Sequence, residues 1–197
     1  MQHKPIPPVV LAAALSACSF QPESLNSERI EQRFGNYDVD VLEQNSGIRR
    51  SNVYSTDKGV RTCRTYAVVK FMDPGLAEIA AVHEAVLGGR SIGATFKDAG
   101  WEIRKMTTYI GSAQVGDPQH TIARIMRLNT PADVGLHAYQ LSIEKGARSI
   151  HYATIVESHH PAYLTETELA DIYPLESEFR ADAEDVKSLI HLLLDTD

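Results

Sequence analysis

The sequence lacks several features that would have narrowed its class at once. It has only two cysteines in 197 residues, which excludes a framework of several disulfide bonds. No uninterrupted apolar run reaches the roughly 18–20 residues that a helix needs to span a bilayer. Lysine and arginine form no cluster larger than Arg49-Arg50, and the formal net charge is −7, so we expect no nucleic-acid partner. Internal repeats and low-complexity tracts are also absent, and the length fits one domain.

The N-terminal residues have the three-part organisation of a signal peptide. His3 and Lys4 form a short basic start, and Val9–Leu15 is an apolar segment too short to cross a membrane. It ends in Leu15-Ser16-Ala17-Cys18, in which small residues precede a cysteine. This tetrapeptide resembles a bacterial lipobox, at which a lipoprotein precursor is cleaved before a cysteine that is acylated. The resemblance covers residues 1–19 alone and implies that Cys18 carries lipid.

The resemblance also implies an organisation and a location. Residues 1–18 would be the signal peptide, 19–26 a short tether, and 27–197 a single domain. In bacterial lipoproteins a serine after the acylated cysteine favours the outer membrane, and Ser19 occupies that position. We therefore expect a lipid-anchored protein of the cell envelope whose domain faces the periplasm. An ordinary secretory signal with a chance cysteine is the alternative.

The second cysteine is expected to be buried. Cys63 lies within the strand-like run Val60–Met72, where a free thiol behaves as a small apolar side chain. If Cys18 is acylated, Cys63 has no partner in the chain. A Cys18–Cys63 disulfide is the rival arrangement, because an oxidising compartment pairs most cysteines. A mass measurement would distinguish the two.

Apolar periodicity and turn residues predict the order of helices and strands. The predicted helices are 28–34, 76–87, a segment begun by the Thr165/Glu168 capping box, and 177–194 after Pro174. The predicted strands are a segment around 37–41, 48–54, 60–72, 92–96, 101–110, 136–144 and 148–158. Thr121–Leu128 fits either a strand or a helix started by Asp117-Pro118, and we favour a strand. The pattern predicts an α+β fold: a mostly antiparallel sheet of about six to seven strands with helices packed on one face.

Gly89-Arg90-Ser91-Ile92-Gly93 spells the G-x-S-x-G pattern of a nucleophile elbow. That mechanism needs a strand before the serine and a helix after it. The predicted order here is a helix followed by a strand, so we interpret the glycines as turn residues.

Glu157 and His159 alternate near the end of a predicted strand and would share a face, whereas His160 would point the other way. A carboxylate and an imidazole could ligate a metal or transfer protons. His151 would share their face but lies too far along the strand to join one ion. We interpret the segment as a solvated strand end, and we expect no metal and no cofactor.

His83 occupies the centre of the apolar stripe of the 76–87 helix and is expected to face the sheet. A two-residue turn at Lys145-Gly146 would place His137 and Tyr139 opposite Tyr152 and its neighbours. These four side chains could line a small-ligand cleft, and the alternative is a pair of hydrogen-bonded core histidines.

The leading hypothesis is a non-enzymatic module that binds an envelope protein or a small ligand. The alternative is a lipid-anchored hydrolase or lyase that uses the histidines. Its candidate catalytic residues are His83, His137, Glu157 and His159.

Overall fold

The computed structural model describes residues 25–45, 47–72, 75–173 and 183–194. The signal segment, Cys18 and most of the tether lie outside the described residues, as do 174–182. Among the described residues, no helix combines the length and the apolar character needed to cross a membrane.

Six antiparallel strands form one sheet in the order β1-β2-β3-β6-β5-β4. The strands are β1 (Asp38–Gln44), β2 (Ile48–Asp57), β3 (Val60–Phe71), β4 (Glu102–Val115), β5 (Ala132–Lys145) and β6 (Arg148–His159). The helices are α1 (Asn26–Phe34), α2 (Ala80–Leu87), α3 (Ile92–Asp98), α4 (Thr121–Met126), α5 (Glu166–Ile172) and α6 (Ala183–Leu194). The α+β class and the antiparallel sheet are thus confirmed.

The expectation that all helices pack on one face is wrong. Val68 and Val69 are neighbours in β3, yet they belong to separate hydrophobic clusters because successive strand residues point to opposite faces. We call the face covered by α4 and α6 the apolar face; its buried cluster includes Val68, Leu136 and Val156. We call the face covered by α1, α2, α3 and α5 the mixed face; its buried side chains include Val69, Tyr139 and Ile155.

Two segments predicted as strands are helices. Residues 92–98 form α3, which buries Phe96 against Trp101 and Tyr152. Residues 121–126 form α4, whose first turn is capped by the His120 Nδ1, which accepts a hydrogen bond from the Ile122 N–H at 3.2 Å. Both segments are short and rich in apolar residues, so the periodicity of their sequence does not distinguish a helix from a strand.

Helix α1 begins two residues earlier than predicted. α1 starts at Asn26, and both Leu25 and Asn26, which the sequence assigned to the tether, are buried. The Leu25 N–H donates to the Glu28 carboxylate at 2.8 Å, which satisfies one of the free donors at the helix start. The helix ends before Gly35, as predicted, and that residue has the left-handed φ of +83° typical of a helix C-terminus.

Cys63 is buried in the cluster of the apolar face, as predicted. Burial raises the pKa of its thiol to about 12, so the group is inert at neutral pH. The described residues give it no disulfide partner, and its pairing with Cys18 falls outside them.

Candidate functional site

The register of the central strands brings two histidines and a glutamate together on the mixed face. The β5–β6 pairing places His137 opposite Glu157. His159 follows Glu157 by two residues and therefore lies on the same face of β6. The Glu157 Oε2 lies 3.6 Å from the His159 Nε2 and 4.0 Å from the His137 Nδ1. We call His137, Glu157 and His159 the buried triad.

The predicted pairing of β5 with β6 was wrong, and for this reason the sequence did not place His137 beside Glu157. The turn is formed by residues 146–147, so Lys145 pairs with Arg148, and a bulge between Leu141 and Ser142 shifts the pairing again. Tyr139 therefore lies opposite Ile155, and His137 lies opposite Glu157. A shift of this size changes which cross-strand neighbours meet.

The outer polar atoms of the triad are each held by another side chain. The Thr107 Oγ1 lies 3.0 Å from the His137 Nε2, and the Thr65 Oγ1 lies 3.0 Å from the His159 Nδ1. The Glu157 Oε1 accepts from the Tyr139 hydroxyl at 3.2 Å and from the Asn26 Nδ2 at 3.4 Å. These contacts fix the orientation of all three side chains.

Aromatic side chains from the C-terminal part of the fold cover the triad. Tyr173, which follows α5, stacks on His137 with ring centroids 4.2 Å apart. Tyr163 meets His159 edge-on at 5.8 Å, and its hydroxyl donates to the Asn26 Oδ1 at 2.7 Å. The chain can pass this close because of Gly135, where an added Cβ would come within 2.7 Å of the Leu164 carbonyl oxygen.

Burial determines the protonation of the triad. It lowers the pKa of His159 to about 3 and that of His137 well below its ordinary value, and the charges of Lys105 and Arg29 add to the effect at His159. Burial raises the pKa of Glu157, against the opposing influence of the same two cations. Both imidazoles are therefore neutral at pH 7.

A cavity of about 80 Å³ lies beside the triad, between the starts of α1 and α3 and the sheet. By this measure a single water needs about 10–15 Å³, so the space accommodates several waters or a small organic molecule. Glu157 belongs both to the triad and to the cavity wall. The polar side chains of the wall are Asn26, Ser27, Arg49, Ser51, Ser91, Lys105, Tyr139 and Glu157.

Arg49 crosses from β2 to the helices and is fully buried. Its Nη1 donates to the Val86 carbonyl at 2.7 Å, and both terminal nitrogens lie 3.3 Å from the Arg90 carbonyl oxygen. Its Nε has no hydrogen-bond partner among the described residues.

The structure divides the predicted cleft into two sites. The His83 Nδ1 lies 2.7 Å from the Tyr152 hydroxyl, and both rings pack on Phe71. His137 and Tyr139 contact each other at 4.7 Å within the triad region instead. His83 is thus a hydrogen-bonded core histidine, as the alternative interpretation had it, and it lies outside the cavity wall.

The interpretation of Glu157 and His159 as a solvated strand end is wrong, because both are buried by α1 and the segment after β6. The prediction that they share a face is confirmed. The bulge removes His151 from this face; it pairs with Ser142 and lies 3.5 Å from the Thr154 hydroxyl.

The G-x-S-x-G segment connects two helices, α2 and α3, so it cannot form a nucleophile elbow.

Sequence reasoning missed Thr65, Thr107, Asn26 and Lys105. Each is a polar residue that the structure buries. Thr65 and Thr107 lie in strands, where threonine is common and carries no functional signal alone. Their role depends on cross-strand register, which no local pattern supplies.

No protein-family model matches the chain, and no curated protein matches it.

Proposed function

We propose that this protein is a lipid-anchored component of the bacterial cell envelope that binds a small organic anion in the cavity beside the triad. The location follows from the resemblance of residues 15–18 to a lipobox. The ligand class follows from the charges on the cavity wall. In this proposal the protein is a binding module and does not carry out catalysis.

The observation that carries the ligand class is an excess of buried cationic groups around one small space. Lys105 and Arg49 both line the cavity, and both are buried. Among the residues that the structure describes, Glu157 is the single carboxylate of the wall. Positive side chains outnumber carboxylates among the described residues of the wall, so a ligand with a negative group complements this wall better than a neutral one. The volume limits the ligand to a few non-hydrogen atoms.

The start of α1 favours the same ligand class. Asn26 and Ser27, its first two residues, line the cavity together with Leu25. The N-terminal end of a helix carries a partial positive charge and free N–H groups. A carboxylate in the cavity would therefore meet positive potential from the helix as well as from the two side chains.

Calorimetric titration with small carboxylates tests the proposal. Acetate and succinate are the probes, and acetamide is a neutral probe of the same size as acetate. We expect the carboxylates to bind and acetamide to bind at least about tenfold more weakly, because a buried charge-assisted hydrogen bond contributes about 1.5–3 kcal/mol. Equal binding of acetate and acetamide, or no binding of any carboxylate, would contradict the proposed ligand class.

A lysine substitution identifies the site. Lys105→Met keeps the length of the side chain and removes its charge, so we expect carboxylate affinity to fall at least about tenfold. Lys58→Met is the matched control, since Lys58 lies exposed in the β2–β3 turn. A Lys105→Met protein that binds acetate like the wild type would place the ligand elsewhere.

The anchor has its own test. Cys18→Ser removes the acyl acceptor, so the protein should leave the membrane fraction of the expressing cells. Cys63→Ser serves as the control, because the buried Cys63 thiol is not expected to be acylated. Unchanged fractionation of Cys18→Ser would refute the lipoprotein assignment and would leave the ligand proposal untouched.

One observation favours the alternative of a lipid-anchored hydrolase or lyase. Three of the four candidate catalytic residues, His137, Glu157 and His159, lie together, and Glu157 reaches the cavity. A carboxyl whose pKa is raised by burial is a better general base near neutral pH. Incubation of the protein with ethyl acetate, which water can hydrolyse, and with malate, which can eliminate water, followed by proton NMR, distinguishes the two functions: turnover that Glu157→Gln abolishes supports an enzyme, and unchanged compounds support a binding module.

A further inference from the structure

The inner atoms of the triad are polar and buried, and the described residues supply none of them with a hydrogen bond. The His137 Nδ1, the Glu157 Oε2 and the His159 Nε2 have no hydrogen-bond partner among the described residues. The three residues are 0%, 6% and 1% exposed, respectively. The three atoms lie within 4.8 Å of one another. A buried polar group without a hydrogen bond destabilises a fold, so a fold that gathers three of them at one point calls for a bound species.

Direct hydrogen bonds within the triad do not satisfy these atoms. The two inner distances of 3.6 and 4.0 Å exceed the 2.7–3.2 Å of a hydrogen bond between nitrogen and oxygen. Both distances are close to the spacing between the ligand atoms of one metal ion. Ligands at 2.0–2.1 Å from a tetrahedral metal lie roughly 3.4 Å apart, so small side-chain rotations would bring these atoms into place.

The outer contacts are those that a metal site needs. A ligating histidine typically donates its other N–H to a nearby acceptor, which leaves the inner nitrogen with its lone pair. Thr107 and Thr65 supply an oxygen 3.0 Å from the outer nitrogen of His137 and of His159, respectively. Tyr139 donates to the outer oxygen of Glu157 and leaves the inner one free.

The geometry points to a binding site for one divalent transition-metal ion, zinc above all, with His137, Glu157 and His159 as ligands. Two imidazoles and one carboxylate form the three-ligand set of sites that keep a fourth position open. Lys105 and Arg29 are the cations that act on the triad from β4 and α1. They oppose a bare cation, so the fourth ligand is expected to be an anion such as hydroxide, which offsets their charge.

The test uses the full chain, purified without a histidine tag and dialysed against a chelator. Titration with ZnCl₂ in a calorimeter should give one site per chain. Titration with CoCl₂ should give the visible absorption of cobalt in a four-coordinate site. Glu157→Gln preserves side-chain volume and should weaken zinc binding more than about 100-fold, because loss of an outer contact alone costs about 10–100-fold.

A second variant keeps the test decisive if Glu157→Gln does not fold. Thr107→Val removes the outer contact of His137 and leaves its buried Nε2 without that hydrogen bond, so zinc affinity should fall about 10–100-fold and the urea midpoint should fall as well, with a cooperative unfolding transition retained. His151→Gln is the matched control on the same strand, outside the triad, and should bind zinc like the wild type. Absence of zinc and cobalt binding, or binding that Glu157→Gln leaves unchanged, would overturn the proposal and leave a buried water as the occupant.

This inference is independent of the carboxylate proposal. Lys105→Met should weaken acetate binding at least about tenfold without reducing the zinc stoichiometry, since Lys105 is not one of the three ligands. Zinc binding without carboxylate binding would contradict only the proposed function, and the reverse result would contradict only the metal site.

Discussion

The two faces of the sheet are built from the same strands but bury different chemistry. On the apolar face, the cluster that includes Val68, Leu136 and Val156 packs against α4 and α6 and is almost entirely hydrocarbon. The mixed face has an apolar half under α2 and α3 and a polar half that contains the triad. Burial of hydrocarbon stabilises a fold without further conditions, whereas buried polar groups stabilise it only when paired. The hydrophobic clusters of both faces therefore account for stability, and the polar half of the mixed face is where function is to be sought.

Substitutions at two adjacent residues of β6 are expected to give the largest difference in stability between the faces. Val156 is fully buried in the apolar face, and Glu157 belongs to the triad on the mixed face. We expect Val156→Asp to lower the free energy of unfolding by at least about 4 kcal/mol, because it buries a charge with no partner. Glu157→Gln in chelator should change it by no more than about 1 kcal/mol, because the amide can bond the same neighbours. Urea denaturation followed by Trp101 fluorescence measures both values.

The second contrast concerns Gly135, which lets the segment after β6 approach the mixed face. Gly135→Ala would place a methyl group 2.7 Å from a backbone oxygen that cannot rotate away. We expect a loss of about 1–3 kcal/mol, as for other overpacked sites. Gly116→Ala is the control, since its added Cβ meets nothing within 4 Å, and it should stay within about 0.5 kcal/mol of the wild type. Equal effects of the two substitutions would show that the close approach at Gly135 is not a constraint.

The sequence predicted the sheet well because strand alternation is a local signal. Long strands such as Val60–Phe71 and the hairpin of β5 and β6 have enough branched and aromatic residues to be recognised alone. α3 and α4 were predicted as strands because six or seven residues carry too little periodicity to separate a helix from a strand.

The candidate site could be predicted only in part, because it depends on register. The alternation of side chains along a strand, which is a local signal, correctly placed Glu157 and His159 on one face. The partnership with His137 required the turn at 146–147 and the bulge after Leu141, which the sequence left open. The covering residues, Asn26 from α1 and Tyr173 after α5, are far apart in the chain, and no spacing rule connects them.

The smallest expected effect is a difference between the two faces in how their contribution to stability depends on pH. Among the described residues, the buried cluster of the apolar face contains no histidine, whereas His83, His137 and His159 are all buried on the mixed face. Burial lowers the pKa of His83 below its ordinary 6.5, with a smaller opposing effect from Glu84. The unfolded chain therefore binds the proton more readily, so the stability that neutral His83 contributes is complete above pH 6.5 and declines as the pH falls below it.

His83→Gln isolates this contribution from that of the other two histidines. Glutamine can still bond the Tyr152 hydroxyl but does not titrate. The stability difference between wild type and His83→Gln should be largest near pH 7.5 and should shrink steadily toward pH 5, when measured by urea denaturation across that range. If the His83→Gln difference is instead constant across this range, folding does not change the proton affinity of His83. The pH response of the mixed face would then come from the triad alone.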